Sequence, residues 1–146
     1  MIVTFCGHRE LDNPGAIRRW LEETVDRLIQ EGADRFLLGG YGAFDGLAAS
    51  VVFQAKQKHP AVRSILVLPY LDRKADASLY DSTLYPPLET VPRRFSIVRR
   101  NEYMVSRSDV VVAYVLYSWG GAAATLRYAE KQQKRIIRYQ NSDKYF

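Results

Sequence analysis

The sequence is poor in the residues that build covalent or metal-held frameworks. Its 146 residues include one cysteine, Cys6, and two histidines, His8 and His59. A single cysteine excludes an intrachain disulfide framework. With so few thiol and imidazole groups, a Cys/His zinc site within the chain is not expected either, and we predict no metal.

Long apolar runs and targeting signals are also missing. No apolar run is long enough to cross a bilayer, and the opening MIVTFCGHRE has neither a basic region nor a small-residue cleavage site. We therefore expect a cytoplasmic protein without membrane association. The length and the 47% hydrophobic content indicate a single globular domain over residues 1–146.

Basic residues outnumber acidic ones. The formal net charge is +5 and the pI is about 9.4. A solvated basic surface is the simpler explanation. The alternative is a preference for anions such as nucleotides or nucleic acid.

Short apolar runs alternate with segments of helical periodicity. Strands are predicted at 2–6, 35–38, 64–68, 109–115 and 135–139, with a further short strand at 95–98. Between them, helices are predicted from Asn13, from the glycine cluster 39–46, at 99–108 and after Gly121. Residues 70–94 have no sustained period and are predicted to form a long loop or lid, and the polar tail 140–146 is expected to fray.

This alternation predicts an α/β protein with a three-layer Rossmann-like fold. Helices would cover both faces of a mainly parallel sheet of about five strands, in the order 3-2-1-4-5. Ligands of such sheets bind beyond the carboxyl ends of the strands, where the winding reverses. The turns GHR (7–9), GGYGAFD (39–45) and YSWGG (117–121) are expected to meet there.

The glycine cluster GGYGAFDG, residues 39–46, lies between a predicted strand and a predicted helix. It lacks the third glycine of the G-x-G-x-x-G fingerprint, where Asp45 stands, and it lacks the lysine of a Walker A loop. A glycine-rich turn into a helix still offers backbone N–H groups to an anion, and the equal alternative is a tight turn without a ligand. A second pair, Gly120 and Gly121, favours phosphate binding.

Two carboxylates are candidates for chemistry. Asp45 is expected to cap the second helix, and its alternative role is to accept a ribose hydroxyl or act on a scissile bond. Glu102 is the other candidate, with a solvated helix start as its alternative.

Further polar residues flank the predicted switch point. Arg9 can grip a phosphate and His8 can hydrogen-bond or stack on a base, while Arg100 and Asn101 can close over a ligand. The alternatives are an exposed turn, with Arg9 paired to Glu10 or Asp12, and a solvated helix start that includes Arg100 and Asn101. A catalytic dyad of Cys6 and His8 is not expected, because a cysteine at the end of a buried strand is usually a core residue.

The ordered set of motifs resembles the SLOG superfamily, which contains the Lonely Guy phosphoribohydrolases and the DNA-processing protein DprA, and within it the YspA/YpsA-like branch. The matching segments are GHR (7–9), GGYGAFDGLAA (39–49), LVLPY (66–70), RRNEYMVSRSDVVVAY (99–114) and GGAAATLRYAEK (120–131).

The resemblance implies a nucleotide-binding domain that is often a dimer or higher homo-oligomer. It implies a phosphate or ribose pocket lined by Gly39, Gly40, Gly42, Gly120, Gly121 and Thr125, with His8, Arg9, Arg100 and Asn101 around it. Our predicted ligand and phosphate site also includes Gly7 and Asp45. The Lonely Guy motif P-G-G-x-G-T-x-x-E is altered here, because Trp119 replaces the proline, and Arg127 and Tyr128 stand near the glutamate position.

Our leading hypothesis is therefore a domain that binds or senses an adenine nucleotide, such as AMP, or an ADP-ribose-like ligand, with no cofactor firmly implied. The first alternative is an N-glycosidic hydrolase or (deoxy)ribosyltransferase that uses Asp45 or Glu102. The second is single-stranded nucleic-acid binding, which is not favoured.

Overall fold

The computed structural model describes residues 1–71 and 76–140, and within these ranges it contains six strands and four helices. The strands are Ile2–Gly7 (β1), Arg35–Leu38 (β2), Arg63–Val67 (β3), Ser82–Leu84 (β4), Val110–Tyr114 (β5) and Arg135–Arg138 (β6). The helices are Pro14–Gln30 (α1), Ala43–Lys58 (α2), Ser96–Arg107 (α3) and Gly120–Lys131 (α4).

All six strands form one parallel sheet in the order β4-β3-β2-β1-β5-β6. The predicted α/β Rossmann-like fold is confirmed, and the predicted order 3-2-1-4-5 corresponds to the run from β3 to β6. The winding reverses between β1 and β5, so their carboxyl ends form the switch point.

Successive side chains of the central strands point to opposite faces of the sheet. Val3 and Phe5 of β1 share a core with Leu21 of α1 and Phe44 of α2. Cys6 faces the opposite side, in a core with residues of α3, β5 and α4 that comprises Val105, Val111, Ala113, Ala123 and Leu126. The chain therefore has three layers, with α1 and α2 on one face and α3 and α4 on the other.

Two sequence predictions about residues 70–98 were wrong. Residues 95–98 do not form a strand, because they end a 3₁₀ turn at Arg93–Phe95 and begin α3. The segment 70–94 includes the edge strand β4, which the sequence did not indicate. The carboxylate of Asp81 anchors this strand by accepting the N–H of Ser64 at 2.8 Å and by pairing with Lys56.

Parts of two predictions lie outside the described residues. They concern positions 72–75 of the predicted loop or lid and positions 141–146 of the predicted fraying tail. Within the described ranges, none of the helices is both long enough and apolar enough to span a bilayer.

Gly7 ends β1 against the first turn of α2, and this contact fixes how the two elements approach each other. A Cβ at Gly7 would lie 2.9 Å from the Cβ of Phe44 and would overlap its ring. Gly46, within α2, has nothing within 4 Å of its added Cβ.

We expect Gly7→Ala to lower the free energy of unfolding by about 2 kcal/mol or more, because overpacking forces strand and helix apart. The matched change Gly46→Ala should raise it by about 0.5–1 kcal/mol, since alanine is the better helix former. Urea unfolding of the two variants measures both effects. Equal stability of the two variants would contradict this account of the packing.

Candidate functional site

A cleft of about 490 Å³ lies at the switch point, beyond the ends of β1 and β5 and between the starts of α3 and α4. It brings together most of the site residues that the resemblance implied. These are Gly7, His8, Arg9, Asp45, Arg100, Asn101, Gly120, Gly121 and Thr125. Phe5 and Cys6, at the end of β1, also line it.

The remaining predicted residues do not line this cleft. Gly40 and Gly42 line an adjoining groove of about 460 Å³ with Arg9, Glu10 and Tyr41. Gly39 lies behind the cleft, where its carbonyl oxygen accepts a hydrogen bond from Nη1 of Arg100 at 2.8 Å. Glu102 lines a separate groove with Pro86, Pro87 and Tyr128, and it pairs with Arg99 at 3.6 Å.

At the start of α2, three of the backbone N–H groups that the glycine cluster was expected to offer to an anion already have acceptors within the protein. The N–H of Ala43 donates to the carbonyl oxygen of Arg9 at 2.9 Å, and the N–H of Phe44 donates to that of His8 at 3.4 Å. The N–H of Tyr41 donates to the carboxylate of Asp45 at 3.1 Å. The turn after β1 and the Asp45 side chain thus occupy these three donors.

Asp45 is not the N-cap of α2. Gly42 holds that position, with a φ of 92° that disfavours other residues, and a Cβ there would lie 2.9 Å from the Cα of Arg9. Asp45 lies in the first turn and reaches back to Tyr41. Its carboxylate still satisfies a backbone donor at the start of the helix, but from a position inside it.

The start of α4 contrasts with that of α2. Trp119 occupies the N-cap position and makes no side-chain capping bond. Among the described residues, no acceptor is found for the N–H groups of Gly120, Gly121 and Ala122. These three donors lie on the cleft at the positive end of the helix dipole, which is a favourable place for an anion.

Arg100 is buried beneath the cleft, with 1% of its surface exposed. Its Nη1 donates to the carbonyl oxygens of Gly39 and Val67, both at 2.8 Å, and its Nε donates to Oδ1 of Asn101 at 2.9 Å. The solvated helix start that was the alternative for this stretch is therefore excluded for Arg100. It ties α3 to the ends of β2 and β3.

His8 is held by the protein on two sides. Its Nε2 accepts the N–H of Leu116 at 2.8 Å, which requires a lone pair and hence a neutral ring. Its ring stacks on Tyr117, with centroids 3.9 Å apart and an interplanar angle of 6°. Burial lowers the pKa of His8, which favours the same neutral form.

The stack continues to the surface. The rings of Tyr117 and Trp119 are 4.3 Å apart, and Trp119 is 68% exposed at the mouth of the cleft. The sequence analysis assigned no role to either residue. The signal was present in YSWGG, where two aromatic residues separate the end of a strand from a glycine pair.

Burial also shifts the acidic groups of the cleft. It raises the pKa of Asp45 from its usual 3.8 to about 6, although the Tyr41 N–H and Arg100 act in the opposite direction. It raises the pKa of Cys6 to about 12, with the Asp45 charge adding to the effect. Cys6 is therefore a thiol at neutral pH, which agrees with the interpretation of this residue as part of the core.

Arg9 extends over the ring of Tyr41, with its guanidinium carbon 5.3 Å from the ring centroid. This places a positive charge between the cleft and the adjoining groove, both of which Arg9 lines. In residues 1–71 and 76–140, no cluster of three or more His, Cys, Asp or Glu side chains has the arrangement of a metal site.

Comparison with solved structures shows which proteins share this fold. The chain aligns over 96% of its length with DprA of Streptococcus pneumoniae, with a TM-score of 0.70, 17% identity and coverage of 50% of that chain. DprA of Helicobacter pylori gives a TM-score of 0.68 at 20% identity, over 98% of this chain and 67% of that one. The Moco carrier protein of Chlamydomonas reinhardtii gives 0.61 at 18% identity, over 99% and 78%.

Similar proteins are also found by sequence. UPF0398 protein BH1768 of Halalkalibacterium halodurans is 28% identical over 135 residues, which cover 82% of this chain and 70% of the relative. The uncharacterized SPbeta prophage-derived protein YoqJ of Bacillus subtilis is 27% identical over 130 residues, covering 73% and 76%. No protein-family model matches the sequence. The chain is therefore similar in sequence to a UPF0398 protein and in fold to DprA, and this similarity agrees with the SLOG-type resemblance of its motifs.

The raised pKa of Asp45 gives a pH-dependent stability. Because the folded state binds this proton more tightly than the unfolded state, the contribution is fully present below pH 3.8 and is lost as the pH rises through about 6. Relative to Asp45→Asn, we expect the wild type to gain up to about 3 kcal/mol of unfolding free energy as the pH falls across this window. Denaturant unfolding of both proteins between pH 4 and pH 8 tests this. A constant difference would show that the carboxylate is not shifted.

Proposed function

We propose that this chain is a nucleotide-binding domain that holds an adenine nucleotide or an ADP-ribose-like ligand in the cleft at the switch point. The observation that carries the proposal is that three unoccupied amide donors adjoin an exposed aromatic ring. The donors are the N–H groups of Gly120, Gly121 and Ala122, and the ring belongs to Trp119, the residue immediately before them.

The two features suit the two ends of a nucleotide. A phosphate group would accept hydrogen bonds from the start of α4, where the helix dipole favours negative charge. The base would stack on the outer face of Trp119, whose inner face is already supported by Tyr117. Arg9, which also lines the cleft, supplies a positive charge for a second anionic group.

The geometry supports binding more than hydrolysis. Of the two candidate carboxylates, Glu102 faces a different groove, and Asp45 is engaged by the N–H of Tyr41. The first alternative, an N-glycosidic hydrolase or ribosyltransferase, would have to rely on Asp45 alone. A carrier or sensor needs no such group, and the similarity to a protein named as a molybdenum cofactor carrier is consistent with binding without turnover.

Proline substitution can remove one amide donor without removing a side chain. Gly121 lies in the first turn of α4, where proline is tolerated, and an added Cβ there meets nothing within 4 Å. We expect Gly121→Pro to weaken AMP binding about tenfold or more, because a hydrogen bond to a charged group is lost. Gly121→Ala keeps the N–H and should bind as the wild type does. Isothermal titration calorimetry measures both, and equal affinities of the two variants would contradict phosphate binding at α4.

Substitutions of Trp119 test whether the base of the ligand stacks on this residue. Trp119→Ala should weaken AMP binding about tenfold, because base–aromatic stacking contributes about 1–3 kcal/mol per base, whereas Trp119→Phe should retain most of the affinity. The chain has two tryptophans, and Trp20 packs against Tyr139 away from the cleft. Quenching of the Trp119 fluorescence by AMP, preserved in Trp20→Phe, provides the direct readout.

Single-stranded nucleic acid is a second candidate, favoured by the exposed stack of Tyr117 and Trp119, which are 39% and 68% exposed. The DprA of Helicobacter pylori, a structural neighbour, is described as binding single-stranded DNA. The salt dependence of affinity distinguishes an oligonucleotide from a mononucleotide. An oligonucleotide releases several counterions when it binds, so its affinity should fall steeply with salt concentration. We expect an oligothymidylate to bind more weakly than AMP at physiological salt.

A further inference from the structure

One polar side chain of the cleft has its orientation fixed by the protein. Asn101 is half-buried on α3, and its Oδ1 accepts the Nε–H of Arg100 at 2.9 Å. A guanidinium can only donate hydrogen bonds, so the oxygen of the Asn101 amide must face Arg100. The arginine is itself held by the carbonyl oxygens of Gly39 and Val67. The amide therefore cannot turn over without losing this hydrogen bond.

The nitrogen of the Asn101 amide is consequently left for the cleft. Asn101 is one of the cleft-lining residues, and among the described residues no acceptor is found for the two hydrogens on Nδ2. The fixed amide thus presents donors, and no acceptor, to whatever occupies the cleft. Acceptor atoms of a ligand, above all charged oxygens, would satisfy them.

We propose that Asn101 is a specificity-determining residue that selects ligands with a terminal phosphate group. The proposal rests on the proposed nucleotide function and narrows it. A terminal phosphate has three non-bridging oxygens and a charge of about −1.5 to −2 near neutral pH. It can therefore accept hydrogen bonds from α4 and from Asn101 of α3 together. A phosphate within a diester or pyrophosphate linkage has fewer such oxygens and less charge.

The proposal predicts the order of affinity for three probes that share the same base and ribose. AMP, with its terminal phosphate, binds the wild type more tightly than ADP-ribose, whose phosphates are both bridged, and more tightly than adenosine, which has none. An Asn101→Asp change keeps an oxygen for the Nε–H of Arg100 and replaces the two donors with a carboxylate oxygen. It weakens AMP binding about thirtyfold or more, through a lost hydrogen bond and charge repulsion, and changes adenosine binding less than about twofold.

Two further variants control for charge and for folding. Val98→Asp adds the same charge to the first turn of α3 at a residue that is 52% exposed and is not among those lining the cleft, and it leaves AMP affinity within about twofold of wild type. Asn101→Ala removes the donors without adding charge and weakens AMP binding about tenfold. Thermal unfolding verifies that each variant is folded.

Affinities for the three probes, measured by calorimetry, test whether Asn101 recognises the terminal phosphate. An equal loss of AMP and adenosine affinity in Asn101→Asp would overturn the proposal, because Asn101 would then contact the base or ribose. Unchanged AMP affinity in both Asn101 variants would overturn it too, while leaving the nucleotide function in place. If the wild type bound none of the probes, the proposed function and this inference would fail together.

Discussion

The carboxyl edge of the sheet is held together by a buried guanidinium. Arg100 connects α3 to the backbone at the ends of β2 and β3, and it has 1% of its surface exposed. A buried positive charge is costly unless it is paired and hydrogen-bonded, and here two carbonyl oxygens and the Asn101 amide share it, with Asp45 as the nearby opposite charge. Removing any one of these groups would leave the others partly unsatisfied. The position of α3 along the sheet, and with it one wall of the cleft, depends on this network.

The two glycine-rich helix starts at this edge have different roles. At α2, the carbonyl oxygens of His8 and Arg9 and the carboxylate of Asp45 occupy three amide donors, and the two bonds to His8 and Arg9 fasten the turn after β1 to the helix. At α4, the corresponding donors have no acceptor among the described residues. An anion is more favourable at α4 for a second reason, since the Asp45 carboxylate stands at α2 and would repel it whenever it is ionised. The first helix start is used for structure, and the second is the one on which the proposed nucleotide binding depends.

The sequence was sufficient to predict the fold and half of the residues that line the cleft. Alternating apolar runs and helical periods gave the order of the five strands from β3 to β6, because burial imposes those periods wherever a strand or helix covers the core. It was insufficient for β4, whose three residues are exposed or half-buried and whose position depends on the contacts of Asp81 with Ser64 and Lys56. It also could not tell which amide donors are free, because the acceptors at α2 come from a turn that is more than thirty residues earlier in the chain. Trp119 was missed for a simpler reason: an exposed aromatic residue carries no periodicity.

The aromatic stack explains how a loop can offer a rigid surface to a ligand. His8 is anchored by the N–H of Leu116 and supports Tyr117, which in turn supports Trp119. A ring that is already held against another ring loses less conformational freedom when a base stacks on it, so more of the stacking energy remains as affinity. The anchor needs the neutral form of His8, which burial favours. Two residues that the sequence suggested as ligand contacts, His8 and Arg100, therefore have supporting positions. His8 supports the stacking surface, and Arg100 orients the amide of Asn101 towards the cleft.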